Sequence, residues 1–320
     1  MKPSQEFTFS GSDSFTVVAY AWLPTVNKDS KQSSQSLKGV VQISHGMAEH
    51  ALRYGRIANA LNDAGYAVYA NDHRGHGKTA AQADDIGFFA EENGWSLVVQ
   101  DMHELNKIIA TEHPSLPVFL LGHSMGSLLS QDYISQFGDG LVGTILSASI
   151  SDAGFLRKVG LVVAKIERLR ISKRGKSTLL NNMSFGDFNK PFQPNRTEFD
   201  WISRDSAEVD KYISDPLCGF MVSTQLWIDV LDGLGHIAQE KTRSYVPNTL
   251  PILLITGEDD PVTKKGKMVD ELESAYKNAG INDVSVKKYQ GGRHESLNET
   301  NRDEITTDLI VWLNTIVENS

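Results

Sequence analysis

One serine is placed where a serine can act as a nucleophile. The stretch Pro117-Val-Phe-Leu-Leu-Gly-His-Ser-Met-Gly-Ser-Leu-Leu-Ser-Gln131 joins a β-prone apolar run, Val118 to Leu121, to a helical pattern that begins at Leu128. Ser124 sits at the apex of the turn between them. A serine displayed this way has its backbone crowded by neighbouring elements, so Gly122 and Gly126 leave room where a Cβ would collide. The next helix starts at once, which puts the Met125 amide at a helix N-terminus, where unpaired N–H groups and the dipole favour negative charge. The competing reading is an ordinary glycine-rich turn whose serine caps the helix.

A serine hydroxyl is too weak an acid to attack an ester unaided; it needs a histidine to take its proton and a carboxylate to orient that histidine. Nine histidines are available. Only residues just beyond strand ends can reach the apex of such a turn. His294 follows the last expected strand in Gln290-Gly-Gly-Arg-His294, where two glycines permit a loop that swings back over the sheet. The carboxylate is expected after an earlier strand. Asp260, in Gly257-Glu-Asp-Asp-Pro261, is the first candidate, with Asp259 one residue away and Asp152 after the preceding strand as alternatives. The order Ser124, Asp260, His294 is the one an α/β-hydrolase arrangement requires. His45-Gly46-Met47 stands where a second oxyanion donor is expected, so the Met47 and Met125 amides form the candidate oxyanion hole.

The elements that must position these groups are legible from periodicity. Strands are expected at Phe7 to Phe9, Phe15 to Trp22, Gly39 to Ser44, Tyr66 to Ala70, Val118 to Leu121, Val142 to Leu146, Pro251 to Thr256 and Val284 to Tyr289, and a solvated loop from Asn27 to Ser36. Helical spacing covers Ile57 to Ala64, Trp95 to Ala110, Lys267 to Asn278 and Asp303 to Val317. Alternating strands and helices imply a mostly parallel sheet flanked by helices, an α/β fold with its active face at the strand C-termini. The alternation breaks near residue 151. Residues 1–150 and 245–320 are therefore expected to form the core domain, and 151–244 an inserted, mainly helical cap. In that insertion lie a basic amphipathic stretch from Phe155 to Ile171, a polar loop from Asn181 to Arg196 and an apolar helix-like segment from Phe220 to Ile237.

Composition narrows the class. A 320-residue chain that is 40% hydrophobic can bury a large core. Its net charge of −9 argues against a nucleic-acid partner. The single cysteine, Cys218, cannot form an internal disulfide and fits a cytoplasmic setting; by itself it reads as core filling. No signal peptide is evident at the N-terminus, and no apolar run approaches the ~18 residues of a membrane span. No histidines show zinc-site spacing such as H-E-x-x-H, so no metal or organic cofactor is expected.

His45-Gly-Met-Ala-Glu-His-Ala-Leu-Arg-Tyr54 resembles the HGxxEHSxRY stretch of the monoacylglycerol lipase and lysophospholipase group of α/β-hydrolases, also grouped with serine aminopeptidases. Asn71-Asp-His-Arg-Gly-His-Gly77, Gly122 to Gly126, Gly257 to Pro261 and Gly292 to His294 resemble that group's remaining signatures in the same order. The cap stretches Phe192 to Trp201 and Tyr212 to Pro216 look like those of bacterial members. Ala51 departs from the usual serine, and Ser127 from the usual second glycine after the nucleophile, where helix packing would change slightly. The resemblance implies Ser124 as nucleophile, Asp260 as orienting acid, His294 as base, and hydrolysis of a lipid ester with one acyl chain.

Glu49 and Arg53 are candidates to bind a polar leaving group such as glycerol, or else a surface ion pair one helical turn apart; His123 is a further candidate for substrate contact. Asp72 is expected to tie a tight loop. The basic and apolar block from Phe155 to Lys176 reads foremost as an amphipathic helix packed on the main domain, and second as a lid touching anionic lipid. Two same-fold alternatives are a small-ester esterase and a proline-type aminopeptidase; an alternative of another class is a hydrolase fold that serves only as a binding module.

Overall fold

The computed structural model describes residues 2–24 and 37–319; the loop expected from Asn27 to Ser36 lies outside them. Two antiparallel strands, β1 (Gln5–Ser10) and β2 (Thr16–Trp22), open the chain. They are followed by β3 (Gly39–Ser44), α1 (Gly55–Asp63), β4 (Tyr66–Asn71), α2 (Gly94–Glu112), β5 (Val118–His123), α3 (Met125–Phe137) and β6 (Gly143–Ser147). The C-terminal part returns to the sheet through β7 (Ile252–Gly257) and β8 (Val284–Tyr289). The eight strands lie in the order β1-β2-β4-β3-β5-β6-β7-β8, parallel from β4 to β8.

The strands that read as continuous apolar runs are the ones buried on both faces, as a parallel sheet requires. Every residue of β3, β4, β5, β6 and β7 is buried. Successive side chains go to opposite faces. Val40, Leu120, Leu146 and Leu254 join the core on the α2 and α3 side, while Val41, Leu121, Ile145 and Leu253 join the core on the α1 side.

Between β6 and β7 the chain forms α4 (Phe155–Ile171), α5 (Thr178–Phe185), α6 (Ser206–Ser214), α7 (Thr224–Ile237) and α8 (Glu240–Arg243). After β7 come α9 (Lys267–Asn278) and the closing α10 (Arg302–Asn319). The stretch expected as a polar loop from Asn181 begins instead inside α5. Ser177 caps that helix, its hydroxyl accepting from the Leu180 amide at 3.2 Å, and Leu180 buries itself against the core. Helix α4 spans the range its periodicity indicated, but its apolar residues are not all covered: Phe155 and Leu169 are 77% and 86% exposed.

Register explains why distant residues meet. Ser44 of β3 pairs with Gly122 of β5, so the segment after β3 runs beside the turn after β5. Gly257 of β7 pairs with Tyr289 of β8, so the loops carrying Asp260 and His294 leave the sheet side by side.

Candidate active site

Ser124 occupies a backbone conformation that few non-glycine residues tolerate, φ 51° and ψ −121°. The turn is held by its neighbours: the Ser124 amide donates to the Ser147 carbonyl at 2.9 Å, and its carbonyl accepts from the amides of Ser127 and Leu128. The glycines are there for space. A Cβ on Gly126 would stand 2.1 Å from the Ser44 carbonyl oxygen, and one on Gly122 would stand 2.6 Å from the Gly126 carbonyl oxygen. Ser127 is buried, and its hydroxyl donates to the Ser124 carbonyl at 2.6 Å, adding a fourth hydrogen bond to the strained turn.

Three side chains meet above it. His294 Nε2 lies 3.0 Å from Ser124 Oγ, and His294 Nδ1 lies 3.1 Å from both Asp260 oxygens. An ionised carboxylate only accepts, so Nδ1 carries the proton and Nε2 is free to accept from the serine. Asp260 is fully buried and also accepts from the Val262 amide at 2.9 Å. Asp259 instead faces Lys265, and Asp152 is taken by Arg157 at 3.0 Å. Burial alone would push the His294 imidazole down; the charge and hydrogen bond of Asp260, helped by Glu295 and Glu49, hold it above its ordinary value of 6.5.

Side chains on either side of Met47 hold the two peptides that lead into it. Glu49 Oε1 accepts from the Gly46 amide at 2.6 Å, and His45 Nδ1 donates to the Gly46 carbonyl at 2.8 Å. In a trans peptide the carbonyl and the following N–H point in opposite directions, so fixing the Gly46 carbonyl fixes the direction of the Met47 N–H. His45 is itself set by the His73 amide, which donates to its Nε2 at 2.9 Å. Among the described residues neither the Met47 nor the Met125 amide has a hydrogen-bond acceptor, and both residues line the cavity over Ser124.

That cavity has a volume of about 640 Å³. Leu128, Phe185, Phe188, Trp201, Trp227 and Val230 give it apolar walls, with Glu49, His123, Tyr212, Asn181, Asn189 and Glu198 among its polar lining. The Glu49–Arg53 pair is buried rather than on the surface. Arg53 donates to Glu49 at 2.6 Å and grips Glu295 through two nitrogens at 2.7 Å. His123 packs its ring 5.0 Å from that of His294, with Nδ1 3.2 Å from the Ser147 hydroxyl. Burial and the neighbouring His294 lower its pKa to about 4, which keeps it neutral. Asp72 ties the loop as expected, accepting from the amides of Ala51 and Lys78 and from the Tyr20 hydroxyl.

Sequence reasoning missed how the insertion grips the His294 loop. Trp201 packs its ring 5.1 Å from that of His294, tilted by 41°, its carbonyl accepts from the His294 amide, and Arg293 donates to the carbonyls of Asp200 and Ser203. The signal was the aromatic, Asn-rich run ending at Trp201, which lacks helical or strand spacing. The role of His45 was also missed, because its hydrogen bonds are to the main chain.

The family model described as serine aminopeptidase, S33, matches residues 35–301. The chain belongs to this family. It is a serine hydrolase of the α/β-hydrolase fold. It is 28% identical over 312 residues, 96% of each chain, to a monoacylglycerol lipase of Mycolicibacterium smegmatis. Over 287 residues it is 28% identical to the monoglyceride lipase of Rattus norvegicus, covering 88% of this chain and 83% of that one. Its fold superposes with a TM-score of 0.88 on the crystal structure of a thermostable carboxyl esterase from Bacillus coagulans in complex with glycerol, at 29% identity and 99% coverage of both chains. Among the described residues no helix is long and apolar enough to cross a membrane.

Proposed function

We propose that this enzyme hydrolyses lipid esters with a single acyl chain, monoacylglycerols foremost, through a covalent acyl-enzyme. The observation that carries the reading is the hydrogen-bonded series Ser124–His294–Asp260 opening on a cavity with apolar walls and with Glu49 and His123 among its polar lining. His294 takes the Ser124 proton as Oγ attacks the ester carbonyl. The Met47 and Met125 amides hold the oxyanion, and His294 returns the proton to the departing alcohol. Water, deprotonated by His294, then attacks the acyl-enzyme and releases the fatty acid.

The apolar walls suit the acyl chain, and Glu49 and His123 suit a small polyol, while Arg53, outside the cavity lining, holds Glu49 in place. The names of the mycobacterial and rat relatives, and the glycerol in the Bacillus coagulans esterase, support the same assignment. An aminopeptidase site would need a free carboxylate for the substrate's ammonium. Glu49 and Glu295 share Arg53, whereas Glu198, also in the cavity lining, has no ion-pair partner among the described residues; the aminoacyl amides in the panel below test that second reading.

Residues 151–244 act in this reading as a cap, with a small core of their own around Trp201, Ile202, Val209 and Tyr212. A second reading concerns α4: exposed Phe155, Leu156, Val162, Ile166 and Leu169 beside Lys158, Lys165 and Arg170 support peripheral contact with anionic lipid. A cytoplasmic enzyme would meet such a surface at the inner leaflet. Co-sedimentation with anionic vesicles at low salt tests it: retention that Leu169→Glu abolishes supports the contact, and no retention of the native chain removes it.

The main test is a panel of monoacylglycerols, lysophospholipids, short esters and aminoacyl amides compared by kcat/KM. Monoacylglycerols should lead, and Ser124→Ala should turn over none of them. A lead for aminoacyl amides would overturn the substrate assignment, and ester turnover by Ser124→Ala would overturn the mechanism.

A further inference from the structure

Three side chains of metal-binding type converge beside the cavity without lining it. His50, Asp215 and Cys218 each offer a ligand atom, and these atoms lie within 4.8 Å of one another. We propose that they form a binding site for a divalent cation of the zinc class, independent of the ester-hydrolysing groups. Imidazole nitrogen, carboxylate oxygen and thiolate sulfur are the ligands zinc takes, and three of them leave a fourth position for water.

The backbone holds the set together. Asp215 and Cys218 share one turn, closed by the Cys218 amide donating to the Asp215 carbonyl at 3.0 Å and the Leu217 amide donating to Asp215 Oδ1 at 2.9 Å. The two-residue spacing between these ligands is one that zinc sites use. Opposite them, His50 is buried, with Nε2 2.9 Å from Asp215 Oδ2. Since a carboxylate only accepts, Nε2 carries the ring proton of the neutral imidazole. That leaves Nδ1 a buried acceptor, and it has no partner. A cation on one ring nitrogen leaves the ring proton on the other, so the imidazole ligates without a change in its charge.

Binding exchanges one proton for one metal–sulfur bond: the S–H proton leaves to solvent as the sulfur's electron pair goes to the cation. The imidazole ligates neutral and the carboxylate ionised.

The site would join two parts of the enzyme that already touch. Gly219 and Tyr212 donate to the Ala48 carbonyl at 2.9 and 3.1 Å. A cation held by His50 on one side and by Asp215 and Cys218 on the other would stiffen that join, next to the segment that carries the Met47 amide.

Cys218 is the only cysteine in the chain, so any thiol signal reports this site alone. Titrating the full-length protein with Co²⁺ should give a thiolate-to-cobalt charge-transfer band saturating at one ion per chain, with one proton released. Saturating Zn²⁺ should slow iodoacetamide alkylation of Cys218 by about tenfold or more. Cys218→Ser should lose the band, and both Cys218→Ser and Asp215→Asn should bind Zn²⁺ about tenfold or more weakly. Fluorophosphonate labelling of each variant verifies that it is folded. The proposal is overturned if Zn²⁺ leaves the alkylation rate of the native chain unchanged, or if both variants bind it with native affinity.

Discussion

Replacing His45 by phenylalanine keeps a flat ring but removes both of its hydrogen bonds. One is the bond to the Gly46 carbonyl, and the other is the acceptor for the His73 amide. The first loss costs about 1 kcal/mol and the orphaned buried amide about 1–3 kcal/mol more. Against the melting entropy of a 320-residue chain that is a fall in Tm of about 3–6 °C. The catalytic effect is separate. With the Gly46 carbonyl released the Met47 N–H loses its aim, and losing one oxyanion donor costs about 10²–10³ in kcat with little change in KM. Two further variants separate the effects. Asparagine places its amide near the position of Nδ1 and should restore much of kcat; glutamine reaches the position of Nε2 and should restore Tm more than kcat. Calorimetry and steady-state kinetics on a monoacylglycerol read the two quantities. A folded His45→Phe enzyme with kcat within about twofold of native would refute the clamp.

Because His294 is held above 6.5, the acid limb of the kcat/KM profile should lie above pH 6.5, and a midpoint below 6 would contradict the contribution of Asp260. Asp260→Asn should lower kcat by about 10⁴ and shift that limb downward. Stability should run the other way in acid. The pKa values of buried His45, His73, His76 and His123 are lowered by burial, with His76 and His123 at about 4. The unfolded chain then binds more protons below 6.5, so their contribution is fully present above 6.5 and is lost as pH falls toward 4; His294, whose pKa is raised, opposes this as a single group. A Tm that stays flat from pH 7 to 5 would argue against neutral burial. Gly126→Ala should cost about 3 kcal/mol or more, because its Cβ would meet the Ser44 and His45 carbonyl oxygens at the end of β3; a native Tm would show that this backbone can move aside.

Much of the fold could be read because a parallel sheet writes itself as short apolar runs between helical patterns, and β3 and β8 fall on the ranges that periodicity indicated. The groups over Ser124 were legible because each must follow a strand end and because the order serine, acid, histidine along the chain then selects His294 from nine histidines. Other features were not legible. The choice among Asp260, Asp259 and Asp152 rests on which carboxylate the turn points at His294, and adjacent residues in a loop give no period to read. The burial of Arg53 between Glu49 and Glu295 joins residues 242 apart in sequence. The start of α5 depends on a cap at Ser177, a local hydrogen bond that a polar composition hides. The hold of Trp201 on His294 comes from irregular backbone, where neither spacing nor propensity speaks.

The most direct measurement is rapid quenching of the enzyme during turnover of a monoacylglycerol, followed by peptide mass mapping. The account predicts an acyl group on the peptide bearing Ser124, accumulating in the first turnover and absent in Ser124→Ala. Steady turnover with no acylated serine, or an acyl group mapped to a different residue, would contradict it.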